Sequence, residues 1–258
     1  PALKQLGSDG TVFERAFSPG NVTRRSLPTL ATGLSPRRVR GRVVGWALRM
    51  DPRHILLGER LRAGGYDTAG FFCCKSHFGR EHKLGLIRGL EDVVIEYDGE
   101  PLTDKAVAWM RERKQAGGDK PLFMWAHYIE PHNWQKDHKP KDGARRKKER
   151  YDKSLEAVDG FIATMIEGIK ESLGDETIII VTSDHGEGLG DHGVKNHAGS
   201  LYNTEVRVPL VVSGWGIKKQ RLRQAAGLVD LAPTIMELAG FEAPGMPQMD
   251  GLSVAPEL

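Results

Sequence analysis

"TIIIVTSDHGEGLGDHGVKNHAGSLYNTEVRVPLVVSG", residues 177–214, sets two apolar runs around a polar segment rich in histidine and acid. The first run, 177–182, reads as a short buried strand and the second, beginning at Val208, as another. Between them stand Asp184, His185 and Gly186, with His192 and His197 following closely. A strand that ends in such residues delivers them to the carboxyl edge of a sheet, where functional groups of α/β folds gather. An adjacent Asp-His pair can offer a divalent cation one carboxylate oxygen and one imidazole nitrogen, and Gly186 lets the backbone turn close to that ion. A loop cap or a satisfied hydrogen-bond pair is the plainer alternative. Glu187 and Asp191 are interleaved with the three histidines, and that density favours the metal reading. Asp191 and His192 themselves read as loop residues.

The same strand-and-helix order recurs on either side. "PRHILLGERLRAGGYDTAGFF" reads as an amphipathic helix, a Gly-Gly stop and a short buried strand. "DKAVAWMRERKQAGGDKPLFMWAHY" repeats it, with a helix over 104–116 and a strand over 121–127. In the next helix Leu155, Val158, Ile162, Met165 and Ile169 stand at helical spacing. "LVDLAPTIMELAG" is a closing helix with Pro233 near its first turn. Alternation of this kind predicts an α/β fold with a largely parallel sheet covered by helices.

Two further polar clusters fall at strand ends. His127, Glu130 and His132 follow the strand 121–126, and the turn "NVTRRSLPTLATG" carries Thr23, Ser26 and Thr29 ahead of Gly33. The plain reading of His132 is a surface histidine beside Pro131. The plain reading of the hydroxyl turn is a helix N-terminus with Ser26 as its cap. A hydroxyl nucleophile there would gain from the helix dipole and from a metal that lowers its pKa.

The bulk numbers fit one large α/β domain or two small ones. Across 258 residues, 39% are hydrophobic and 28% charged, the balance of an ordinary globular protein. Lys and Arg number 37 against 34 Asp and Glu, a net charge of +3 that gives no indication of a nucleic-acid partner. No apolar run reaches the roughly 18–20 residues that span a bilayer. The basic stretches "SPRRVRGR" and 136–153 read as solvated loop and helix surface, with contact to an anionic substrate or a lipid headgroup as the alternative. Cys73 and Cys74 are neighbours; a vicinal pair rarely closes a structural disulfide, so they leave the redox compartment open.

Taken in order, these motifs resemble the sulfatase family of the alkaline phosphatase superfamily. "IIIVTSDHGEGLGDHG" with "NHAGSLYNTEVRVPLVVSG" resembles that family's metal-binding strand end, its basic residue ahead of Leu-Tyr, and its next strand. "LFMWAHYIEPHNW" resembles its His-Tyr-x-Asp/Glu-Pro-His strand end, and "LVDLAPTIMELAG" its closing helix. "PALKQLGSDGTVFERAFSPGNVTRRSLPTLATGLSP" resembles the segment that carries the nucleophile.

The resemblance implies a three-layer αβα sandwich over 1–258, with 214–258 as its closing region. It implies one divalent ion, Mn²⁺ or Ca²⁺ before Mg²⁺ or Zn²⁺, held by Asp184, His185 and Thr23. It places the nucleophile at Thr23, His132 as a catalytic substrate-binding histidine, and His197 and His127 as substrate contacts. Sulfatases proper carry Cys or Ser in Cys/Ser-x-Pro-x-Arg, whereas this stretch reads "TRRSL" with Leu27 at the arginine position. A direct Thr nucleophile therefore replaces the aldehyde-hydrate chemistry. The family also opens with an acid-bearing strand just ahead of a segment like "PALKQLG", which implies that this chain starts after that strand. The expected activity is hydrolysis of sulfate or phosphate esters of small molecules, glycans or lipids. A phosphotransferase of lipid or glycan headgroups and an inactive remnant acting as a binding module are the alternatives. The family resemblance favours a periplasmic, membrane-associated or secreted protein, and the sequence leaves oligomeric state open.

Overall fold

A computed structural model describes residues 1–45, 47–79, 85–134, 144–241 and 249–258, with backbone only at 144 and 145. The basic stretch at 136–143 lies outside the described residues.

Among the described residues, ten strands are arranged in three sheets. One is the parallel sheet β5(Asp92–Ile95)–β4(Asp67–Phe72)–β6(Leu122–His127). A second follows the order β10(Gln220–Gly227)–β1(Gly10–Phe17)–β9(Leu210–Gly214)–β7(Ile178–Thr182), with the short β8(Arg207–Val208) beside β1. The third is the hairpin-like pair β2(Gly41–Val44) and β3(Ala47–Met50).

β1 and β10 run parallel, but β9 is antiparallel to both β1 and β7, so the second sheet is mixed. Apolar content marked β9 as a strand, but a run of apolar residues carries no direction. The turn through Trp215 and Gly216 sends the chain back as β10 along the far side of β1.

Helices cover both faces. On one side lie α5(Gly99–Gln115) and α7(Ala144–Leu173). Their Leu102, Ala106, Met110, Met165 and Ile169 pack on Ala69 and Phe71 of β4. The opposite face carries α2(Thr23–Thr32), α3(Leu57–Ala63) and α9(Leu231–Leu238), packed on Phe13, Phe72 and Val212 among others. The αβα sandwich expected from the motif order is the architecture found.

Two helix starts differ from the sequence reading. α5 begins at Gly99 rather than 104, because Pro101 suits a first turn and Glu130 Oε1 accepts the Gly99 N–H at 2.6 Å. Glu130 thereby caps the start of α5. α2 begins at Thr23, so Ser26 lies one turn inside it and donates back to the Val22 carbonyl at 3.1 Å instead of capping the helix. Gly33 stops α2 in the left-handed conformation, φ +67°, with its N–H on the Thr29 carbonyl. Cys73 and Cys74 do form a disulfide, contrary to the usual rarity of vicinal pairs. Cys74 takes a left-handed backbone, φ +55°, where β4 turns into α4(Lys75–Phe78). No described helix is long and apolar enough to cross a membrane.

Candidate active site

β6 ends at His127 and β7 leads into Asp184, and the start of α2 brings Thr23 over that end of the sheets. Thr23 Oγ1 lies 3.3 Å from His185 Nε2, and Asp184 Oδ2 lies 3.6 Å from the same nitrogen. Ser26 Oγ reaches within 3.4 Å of Asp184 Oδ2. The backbone beneath is pinned by Ser18, whose hydroxyl donates to the Asp184 carbonyl at 2.6 Å.

The tautomer of His185 follows from its partners. Nδ1 lies 2.8 Å from the Gly186 carbonyl, which only accepts, so Nδ1 carries the hydrogen. Nε2 is left with its lone pair turned toward Thr23 and the Asp184 carboxylate. That lone pair can accept from the Thr23 hydroxyl or bind a metal ion shared with the Asp184 carboxylate. Burial acts to raise the Asp184 pKa, but His185, His127 and the Thr23 hydroxyl together overcome it, and the carboxyl stays below its ordinary value. The donors Asp184 Oδ2, His185 Nε2 and Thr23 Oγ1 thus fit one side of a divalent cation's shell. Among the described residues, no group of three His, Cys, Asp or Glu side chains converges on one position. This set is short of the four or more ligands such ions take.

Gly186 is required by the packing of the chain around it. A Cβ there would meet the Thr204 carbonyl at 2.2 Å, and the Gly186 N–H donates to the Glu205 carbonyl at 2.7 Å. The glycine lets the loop after β7 lie flat against the segment before β8. That contact is locked from the other side by Glu205. Its fully buried carboxylate accepts from Asn21 Nδ2, the Gly199 N–H and the Ser200 hydroxyl.

The histidines form a row. His185 and His197 have ring centroids 4.5 Å apart, and His197 and His132 5.1 Å apart. His132 stands at the exposed rim on α6(Glu130–Asn133). His127 sits deeper, its ring 5.2 Å from Phe78, and desolvation holds its pKa below the ordinary imidazole value. Asp191 and His192 belong to a loop turn, where His192 stacks on Tyr202 at 4.1 Å, as the loop reading expected.

Glu187 was noted in the sequence only as one acid among several. It is buried, with Oε2 3.0 Å from His197 Nδ1 and accepting from the Trp134 indole at 3.3 Å. The hydrogen bond to Glu187 raises the His197 pKa above its ordinary value. A raised folded-state pKa means the protonated pair stabilises the fold below the unfolded value of about 6.5. That contribution is lost as pH climbs through the folded pKa. In a Glu187→Gln protein the His197 titration midpoint, followed by NMR of the imidazole C–H, moves to lower pH. An unmoved midpoint would show that Glu187 does not set the charge of His197.

The family model described as Sulfatase matches residues 1–241. The Delta 4,5-hexuronate-2-O-sulfatase of Bacteroides thetaiotaomicron is 22% identical over 333 aligned positions, covering 99% of this chain and 66% of that protein. Human N-acetylglucosamine-6-sulfatase is 34% identical over 108 residues, 41% of this chain and 19% of that protein. Among solved structures, a 2-O GAG sulfatase superposes with a TM-score of 0.80 at 19% identity, covering 100% of this chain and 68% of that one. The phosphonate monoester hydrolase of Agrobacterium radiobacter gives 0.78 at 18% identity, covering 99% and 71%. The chain therefore spans about two thirds, or less, of the relatives it matches.

Proposed function

The chain belongs to the sulfatase family, and on that premise we propose that it hydrolyses sulfate or phosphate esters through a covalent intermediate on Thr23. The observation that carries this reading is the meeting of Thr23 Oγ1 and Asp184 Oδ2 at 3.3 and 3.6 Å from His185 Nε2, at the carboxyl ends of β6 and β7. Ser26 is the weaker nucleophile candidate, since it is fully buried and its hydroxyl is engaged by the Val22 carbonyl. The cysteines are not candidates, because they are joined to each other.

Asp184, His185 and the Thr23 hydroxyl would hold a divalent cation, Mn²⁺ or Ca²⁺ before Mg²⁺ or Zn²⁺. When bound, such an ion favours the alkoxide and neutralises charge on the transferred group. Thr23 Oγ1 gives its proton to solvent water and attacks sulfur or phosphorus in line. The bond to the leaving alcohol breaks, and that oxygen takes a proton from His197, kept cationic by Glu187, or from His132 beside it. His127 and His197 face the oxygens of the transferred group. Water then cleaves the Thr23 ester and restores the hydroxyl. The named relatives that act on hexuronate and N-acetylglucosamine sulfates favour a sulfated sugar as substrate.

Nitrophenyl sulfate and nitrophenyl phosphate test this reading directly. At least one is turned over, chelation removes the turnover, and added Mn²⁺ or Ca²⁺ restores it. Turnover indifferent to chelation would sink the cation role, and no turnover under any of these ions would sink the hydrolase reading.

A further inference from the structure

The arginine-rich segment after α2 has no part in the candidate active site. Residues 37–53 hold six arginines, no lysine and one acid, Asp51, an excess of positive charge larger than the net +3 of the whole chain. Asp51 is taken by Arg53, and Arg38 pairs with Asp250. Among the described residues, no carboxylate pairs with Arg37, Arg40 or Arg42, and all three are exposed. Arg42 stands directly opposite Arg49 across β2 and β3, where like charges work against the strand pair. Charge on an edge strand does keep it from pairing with another chain. One such residue suffices for that, and it does not call for exposed valines beside it.

β3 anchors the pair, with Met50 buried among Leu27 of α2 and Phe78 of α4 and Leu48 packed against them. β2 lies outside, all four of its residues exposed. The pair closes in a two-residue turn after Val44, begun by Gly45 with a left-handed φ of +57°. At this end Val43 is 59% and Val44 38% exposed. The loop 51–55 is tied to the base of β2. The Arg40 N–H donates to His54 Nε2 at 2.7 Å, and the Asp51 N–H donates to the Arg40 carbonyl at 3.0 Å. This loop adds Ile55, 48% exposed.

We propose that the β2–β3 hairpin docks the protein on an anionic lipid surface, with its arginines on the head groups and Val43 and Val44 in the acyl boundary. Guanidinium forks grip phosphate oxygens in pairs, and their stems lie along apolar surface. A soluble polyanion would use the arginines and leave the valines in water, whereas an anionic bilayer takes both. A second copy paired along β2 would set Arg42 against the arginines of its neighbour.

The 258-residue protein is sedimented with vesicles of phosphatidylcholine alone or with about 30% phosphatidylserine added. Binding is expected to the anionic vesicles only, and weakens at least about tenfold when salt rises from about 0.1 to 0.5 M. Arg40→Gln with Arg42→Gln weakens it roughly 20-fold, at about fivefold per charge. Val43→Ser with Val44→Ser weakens it at least about fivefold with the charge unchanged. Val43→Trp, unfolding at the same temperature as the wild type, binds more tightly. Lys147→Gln with Lys148→Gln, in the basic start of α7, leaves binding unchanged. No binding to anionic vesicles, equal binding to neutral ones, valine substitutions without effect, or loss of binding through the α7 lysines would overturn the proposal. So would a dimer joined along β2, or capture of a sulfated oligosaccharide through Arg40 and Arg42 with vesicles left unbound. None of these readouts uses ester turnover, so they stand or fall apart from the hydrolase reading.

Discussion

In a Thr23→Ala protein, turnover of nitrophenyl sulfate or phosphate falls by at least roughly 10³-fold, about 4 kcal/mol of barrier at 1.36 kcal/mol per factor of ten. The expectation rests on where the hydroxyl sits. Thr23 occupies the first position of α2, where backbone N–H groups and the helix dipole favour a developing oxyanion, and it faces the open nitrogen of His185. Water could still attack the ester, so the loss is large but not total. Ser26, three residues on, does not take over, because its hydroxyl is spent on the Val22 carbonyl. The fold should survive: Thr23 is only partly buried and belongs to none of the apolar clusters, so the change in stability stays within about 1 kcal/mol. Thr23→Ser should keep measurable activity. In the wild type, acid quenching during phosphate-ester turnover leaves a phosphoryl group on the peptide that contains Thr23. Full activity in the alanine variant would remove Thr23 from the chemistry and bring Ser26 forward.

Much of this architecture was readable because it follows from local rules. The apolar runs at 177–182 and 121–127 became β7 and β6, and their polar ends, Asp184 with His185 and His127 with His132, meet where strand ends should place them. What could not be read involves pairings across the chain or direction along it. Glu187 and Trp134 stand 53 residues apart, so no spacing announced that Glu187 would pair with His197 while the Trp134 indole donates to Glu187. Glu205, before Val-Arg-Val, carries no mark in the sequence, yet it is the buried clasp that closes the loop over Asn21. The antiparallel course of β9 was invisible for the same reason: composition marks a strand and is silent on its sense. Ser26 as a cap was a fair reading of Ser before Leu-Pro, but the chain enters the helix one turn earlier, and the serine is turned inward toward Val22 and Asp184.

Asp184→Asn tests the other half of the site. The amide keeps the shape of the side chain and its contact with Ser26, but removes the charge that faces His185. If Asp184 and His185 hold a cation, the wild-type protein gains thermal stability when Mn²⁺ or Ca²⁺ is added. The gain is about 2.7 kcal/mol at a concentration a hundred times the Kd. The asparagine protein, left with one imidazole and one hydroxyl, should gain almost none over the same range. Its ester turnover should fall by roughly 10²- to 10⁴-fold, since the several kcal/mol of charge stabilisation that an ion supplies are no longer delivered. The two readouts together discriminate between causes. A lost cation shift with lost turnover means that Asp184 acts through the ion. A retained shift with lost turnover would mean that the ion binds elsewhere and that Asp184 acts on Thr23 and His185 directly. Turnover kept in full would remove Asp184 from the site, and with it the reason for a partly buried carboxylate to remain charged beside His185 and His127.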